Sequence, residues 1–342
     1  MGNNIKFMKF FFTIILSVLL CSVYATNYYI SAAGNNSNAG TSTGAAWLTL
    51  ARANTQTYAA GDSILLRRGD VFYGSLILNR NNVNVGAYGS GANPVISGFT
   101  NLTSWQSSGN GIYSIIVPNI DTTWFNLLSI NGQPQIKGRF PNASAANGGY
   151  VAYSGGDSTY LTGTPTTNRV GRQIVIRANN WTVNVCKVTR QNADSTFYVR
   201  WPFALVSGSG LPLTTVTAGY GCFWQNDSTF LDVLGEWHLD NITKRLRVYF
   251  GANNPASYSV RAATVDTLIN CNTRTNISIS NIDLEGFNLY GIYGTSSSNV
   301  SIVNCTLNQG TQGLSAYRIS NISVTNSTIK NCLQTEIGRA HV

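Results

Sequence analysis

Apolar and small polar residues alternate in three aligned stretches near the end of the chain. They are Asn276-Ile277-Ser278-Ile279-Ser280-Asn281, Asn299-Val300-Ser301-Ile302-Val303-Asn304 and Asn321-Ile322-Ser323-Val324-Thr325-Asn326. Alternation of this kind marks a strand with one buried face. The stretches start 23 and then 22 residues apart. A second apolar pair follows each one: Ile282 and Leu284, Cys305 and Leu307, Ser327 and Ile329. Gly291 and Gly313 keep the same period. A coil of this length closes as about three short strands joined by tight turns, and coils stack at the parallel strand spacing of about 4.8 Å. The chain is therefore expected to be all-β, a parallel β-helix. Asn281, Asn304 and Asn326 then form a ladder at one corner, since Asn tolerates the left-handed conformation and its amide can bond to the next Asn. Cys305 aligns with Ile282 and is expected in the core.

Upstream, strands are expected at Tyr28-Tyr29-Ile30-Ser31 and at 63–66, 75–78 and 83–85, with turns at Gly61-Asp62 and Gly69-Asp70. The second turn also spells Arg68-Gly69-Asp70, better read as a turn than as an adhesive tripeptide. A short helix over 45–51 is the candidate cap for the open apolar end of the solenoid. Between 121 and 262 the period disappears. Aromatics (Trp124, Phe125, Trp181, Trp201, Phe203, Trp224, Trp237) and alternations such as Gln173–Arg177 predict an inserted antiparallel β-domain. The expected division is a leader at 1–25, cap and first coils at 26–120, insertion at 121–262, coils at 263–335, and a foreign tail at 336–342.

The ends of the chain carry their own signals. Lys6 and Lys9, the apolar run 10–20, and Val23-Tyr24-Ala25 read as an export signal cleaved before Thr26. The run is too short to span a bilayer, and Leu20 before Cys21 argues against a lipoprotein site. The expected location is the cell surface, the medium or the periplasm. At the other end, Ile337-Gly338-Arg339-Ala340-His341-Val342 reads as the translation of a common short-read sequencing adapter, and Glu336 fits its preceding bases. On that reading the natural sequence continues differently and His341 has no catalytic role.

Composition narrows the classes. Charged residues make up 10% of the chain, and the formal charge is +9, or +7 without Lys6 and Lys9. A cationic surface favours acidic partners such as uronic-acid polymers. Short basic clusters at Arg67-Arg68 and Lys244-Arg245-Arg247 match no nucleic-acid motif. Once Cys21 is removed, Cys186, Cys222, Cys271, Cys305 and Cys332 remain, an odd number without zinc spacing. Buried thiols are expected. A monomer is expected as well.

Several segments resemble the opening of secreted bacterial right-handed β-helix proteins of the pectin-lyase-like superfamily. These are Tyr28 to Asn35, Gly40-Thr41, Ala46 to Ala51, Gly61 to Asp70 and Gly86-Ala87-Tyr88-Gly89. Gly138-Arg139-Phe140-Pro141-Asn142 and Gly235-Glu236-Trp237-His238-Leu239-Asp240 resemble segments of β-helix glycoside hydrolases that carry an inserted β-domain. The resemblance implies a right-handed solenoid acting on an extracellular polysaccharide. The superfamily includes hydrolases, lyases, epimerases and non-enzymes, so the reaction stays open between hydrolase, lyase and a non-catalytic glycan-binding or adhesion module.

A glycosidase needs two carboxyl groups about 5 to 9 Å apart. Asp283 and Glu285 alternate with Ile282 and Leu284, point outward from one strand and are the candidate catalytic pair, or a solvated face. One coil on, their places are taken by Thr306 and Asn308, and then by Thr328 and Lys330, so no acidic pair stacks. A lyase needs a basic group and often Ca²⁺, for which no acidic cluster is present. Arg139, Tyr293, Tyr317 and Arg318 are candidate substrate-binding residues, with Tyr290 and Lys330 beside them. No metal site, resident cofactor, phosphate loop or Gly-x-Ser-x-Gly elbow is found. His238 is read as structural.

Overall fold

The computed structural model describes residues 25–120, 125–164, 167–200 and 213–338. The expected leader and most of the expected adapter tail lie outside these residues. Within them the protein is an all-β solenoid, a parallel β-helix. Its first face is a six-stranded parallel sheet ordered Asn27–Ile30, Ser63–Arg67, Asn84–Tyr88, Thr275–Ser280, Ser298–Val303, Ser320–Thr325. Ile277 pairs with Val300 and Val300 with Ile322, so the sequence period is the rung period.

The long strands Asp283–Tyr293, Thr306–Ser315 and Thr328–Gly338 supply two further faces, because each bends in the middle. Gly286, Gln309 and Asn331 share that bend, at φ 73°, 60° and 56°. The first half of Asp283–Tyr293 stacks on Val95–Ser97 and through it on Val71–Tyr73. The second half stacks on Val265–Asn270, which stacks on Leu76–Ile77. Ile, Leu and Val from all three faces fill one core, and each contributes about 1.5–3 kcal/mol on burial. Cys305 lies in this core, 2% exposed, near Ile282.

Left-handed residues recur at the corners of the last three rungs. Thr273, Ser296 and Arg318 form one column, and Asn281, Asn304 and Asn326 another at φ 56°, 53° and 49°. In the latter, Asn304 Nδ2 donates to Asn281 Oδ1 at 3.5 Å. A tighter ladder stands at the start of the first-face strands. Asn276 Nδ2 donates to Asn82 Oδ1 at 2.7 Å, Asn299 to Asn276 at 2.7 Å and Asn321 to Asn299 at 2.9 Å. All four have φ between 53° and 58°.

The chain leaves the stack after Ser97 and rejoins it at Val265, completing the same rung. The coils therefore stop earlier than the expected boundary at 120. Phe99–Asn101, Gln106–Ser107 and Ile112–Ile116 belong to antiparallel sheets, and their short alternations look like coil strands in the sequence. The excursion holds two four-stranded sheets and one eight-stranded sheet, all antiparallel. It packs its own cores around Trp237 and Trp224. The helix lies at Leu50–Asn54 rather than at 45–51. Trp47 is held extended by a bridge to Ile30, and Thr49 Oγ1 caps the helix by accepting from Arg52 N. Leu50 and Ala53 from this helix enter the solenoid core.

Asn299→Ala removes two ladder bonds and leaves the left-handed backbone to a residue without the amide that makes Asn tolerant of it. We expect a loss of about 1–3 kcal/mol, with Asn299→Gly losing less because the backbone is relieved. Denaturant midpoints compare the two. A Cβ on Gly310 would sit 1.8 Å from the Phe287 ring. Gly310→Ala is expected to cost at least about 1–3 kcal/mol, partly recovered in the double variant with Phe287→Leu.

Candidate functional site

Asp283 and Glu285 open the second face, flanking the inward Leu284. Asp283 Oδ1 accepts from Asn93 Nδ2 at 3.2 Å. Glu285 Oε1 accepts from Ser97 Oγ at 3.0 Å and pairs with Arg261 NH1 at 2.9 Å. Arg261 also covers the Phe99 ring at 4.1 Å. Glu285 thus anchors the excursion to the solenoid. Across the ladder Asp283 faces Val95 and Thr306, and Glu285 faces Ser97 and Asn308, so no third carboxylate joins them.

The excursion then covers the bend. Asn288 is buried; its Nδ2 donates to Asp266 Oδ1 at 2.7 Å and its Oδ1 accepts from Asn126 N at 3.0 Å. Gln309 Nε2 donates to Gly132 O. Asn126 Oδ1 accepts from Lys137 Nζ at 3.4 Å, and desolvation pushes the Lys137 amino group down to about 8. This seam has no sequence signature, because the pairs that cross it, Asn126–Asn288 and Gly132–Gln309, lie 162 and 177 residues apart.

Beyond the seam, on the third face, Tyr290 and Tyr293 stack with ring centroids 4.9 Å apart and planes at 29°. Gly291 and Ile292 between them pack inward. Tyr290 pairs with Thr267 and Gln312 on the adjacent rungs, and Tyr293 with Asn270 and Ser315. The half-buried rings thus have Thr267, Gln312, Asn270 and the buried Ser315 as their neighbours in the adjacent strands. Burial first, then Tyr293 and Asp266, raises the Tyr290 hydroxyl above its ordinary value and keeps it a hydrogen-bond donor.

The remaining candidates lie elsewhere. Tyr317 and Arg318 occupy the corner between the third and first faces, where Arg318 has φ 56° and lies 5.0 Å over the Tyr317 ring. Arg139 sits in the eight-stranded sheet of the excursion. Its Nε donates to Pro141 O at 3.0 Å, its NH2 to Gly149 O at 2.9 Å, and it covers Phe223 at 3.6 Å. The guanidinium is therefore engaged in holding a loop rather than held out to a substrate. The six candidates do not share a single site. Among the described residues, no group of three or more His, Cys, Asp or Glu is arranged to hold a metal ion, and no helix is long and apolar enough to cross a membrane.

The architecture defines the class of fold, a parallel β-helix. A glycoside hydrolase structure overlays with TM-score 0.64 at 15% identity, over 85% of this chain and 63% of that one. XylC bound to xylose gives TM-score 0.47 at 10% identity, over 90% of this chain and 54% of that one. GH136 lacto-N-biosidase from Eubacterium ramulus gives 0.36 at 13% identity, over 96% and 38%. At 15% identity the first likeness is one of fold, and the chain spans under two thirds of each neighbour's length. No protein-family model and no curated protein matches the sequence.

His238 is pushed down to about 4, by burial first and then by Arg247, and its buried Nδ1 has no hydrogen-bond partner. The unfolded chain takes up this proton near 6.5 and the folded one only near 4, so between those values the unfolded state binds more protons. This contribution is fully present above pH 6.5 and is lost as pH falls toward 4, by about 2–3 kcal/mol. Denaturation from pH 7 to pH 4 is expected to show a shallower decline in His238→Gln than in the parent.

Proposed function

We propose that this chain is the exported, polysaccharide-binding solenoid of a carbohydrate-active enzyme, a hydrolase or lyase in its complete form, with the third face as the sugar platform. The observation that carries the reading is the stacked Tyr290–Tyr293 pair set among Thr267, Gln312, Asn270 and Ser315 on three successive rungs. Flat aromatic surface bordered by hydrogen-bonding side chains suits pyranose rings, which present apolar faces and hydroxyl edges. The glycoside hydrolase overlay supports the scaffold.

In this reading the solenoid is right-handed, the Leu50–Asn54 helix closes its first end and the antiparallel excursion is an inserted domain. The chain acts as a monomer after losing its leader, and no cofactor enters the reading. Ile322, Val324 and Ile329, half-buried on the last rungs, are the inward positions that further coils would cover. A non-catalytic glycan-binding surface module is the second reading, favoured by one fact: Glu285 is committed to Arg261 and the seam separates it from the tyrosines.

Affinity electrophoresis against a panel of soluble neutral and acidic polysaccharides tests the platform. Retention by at least one polymer is expected, weakened about tenfold in Tyr290→Ala and in Tyr293→Ala, the equivalent of about 1.4 kcal/mol. Equal retention of parent and variants would remove the third face from the proposal. Reducing-sugar release is expected to be absent. Release that vanishes in Asp283→Asn or Glu285→Gln would make the second face an active site.

A further inference from the structure

The first rungs border a half-open pocket of about 310 Å³ that none of the chemistry above uses. It opens where the first three strands of the first face end. Ser31, Arg67 and Tyr88 follow or close those strands, and Asn35, Asn38 and Thr43 come from the loop folded over them. The loop is rigidly tied. Tyr29 N donates to Gly40 O at 2.7 Å, Asn35 N to Ala46 O at 3.0 Å and Trp47 Nε1 to Asn38 O at 2.9 Å. Gly34 has no room for a side chain, since a Cβ would lie 2.3 Å from Trp47 O. The far wall is fixed by Asp70, whose Oδ2 accepts from Ser31 Oγ at 3.1 Å and Ala32 N at 2.8 Å. The cavity is thus built by fixed backbone.

Its chemistry is selective. Among the described residues Arg67 has neither an ion pair nor a hydrogen bond, while the nearby Asp70 carboxylate is engaged by Ser31 Oγ and Ala32 N. The backbone N–H groups of Gly34, Asn35, Gly40 and Ala45 all donate within the loop, which leaves no phosphate cradle. Asn35 Oδ1 accepts from Ser37 N at 2.9 Å and Asn38 Nδ2 donates to Ala46 O at 3.0 Å, so what remains on offer is the Arg67 guanidinium, the Tyr88 ring, Asn35 Nδ2, Asn38 Oδ1 and the Thr43 hydroxyl. The volume is at the small end of ligand sites and suits one ring. We propose that this cavity binds a hydroxylated carboxylate of single-ring size, a sugar acid, with its carboxylate on Arg67 and its hydroxyls on the Asn and Thr side chains.

The proposal does not rest on the tyrosine platform of the third face, whose variants leave this site intact. Isothermal titration of the full chain with glucuronate, glucose and acetate tests it. Glucuronate is expected to bind at millimolar concentration or below. Glucose, lacking the carboxylate, and acetate, lacking the hydroxyls, are each expected to bind at least about tenfold more weakly, as is glucuronate to Arg67→Gln. Arg67 supports no other group, so Arg67→Gln should keep the parent melting temperature. Tyr88→Ala should weaken glucuronate as well. No glucuronate binding, equal binding of glucose, or parent-like affinity in Arg67→Gln would each overturn the assignment.

Discussion

The corners of the last three rungs, from Thr273 to Asn331, are turned by residues in the left-handed conformation at the same places in each coil. Thr273, Asn276, Asn281 and Gly286 supply the corners of one rung; Ser296, Asn299, Asn304 and Gln309 those of the next. A non-glycine residue pays about 1–2 kcal/mol for that conformation, and Asn pays less because its side chain bonds locally. Stacking then offsets part of the cost. Once one Asn is turned, its amide is in reach of the Asn above, and the bonds of 2.7–2.9 Å along Asn82, Asn276, Asn299 and Asn321 tie corner to corner. The corners also fix which residues face inward, and hence the register of the core.

The excursion is a consequence of where a coil can be opened. It leaves after Ser97 and returns at Val265, so a single rung is interrupted between its second and third faces and the stack continues beneath it. Arg261–Glu285, Asn126–Asn288 and Gln309–Gly132 then lock it over the bend. That placement divides the outer surface. Asp283 lies on one side of the seam and the Tyr290–Tyr293 pair on the other, and the long strand that carries both does not bring them together.

The period, the inward residues and the Asn corners were legible because a solenoid repeats its physics every coil, so that Ile277, Val300 and Ile322 occupy equivalent positions. The strongest ladder was half legible: Asn276, Asn299 and Asn321 head the aligned stretches, yet the closing Asn residues looked more like turn residues. The helix was misplaced because Ala46 to Leu50 has helical composition, whereas backbone pairing of Trp47 with the first strand overrides it. Arg139 looked available for a ligand because nothing local reveals that Pro141 and Gly149 carbonyls claim its guanidinium. The seam and the Arg67 cavity depend on separations of 20 to 190 residues, which no local pattern encodes.

Stacking also limits chemistry. Equivalent residues on successive rungs lie about 4.8 Å apart, where two like charges repel by about 1 kcal/mol in water and about 3–4 kcal/mol at the effective dielectric of a protein surface. A column of carboxylates therefore works against the fold unless each is neutralised, and the sequence answers with Asn, Ser and Thr at 10% total charge. Asp283 and Glu285 obey the same limit. Asp283 is followed by Thr306 and Thr328, and Glu285 by Asn308 and Lys330, with Arg261 supplied from the excursion to balance it. Reactive carboxylates on such a scaffold must be paired with a cation or placed where the stack is broken. Glu285, beside both a bend and the seam, satisfies both conditions, which is why its partner Arg261 decides whether that face can react or only hold.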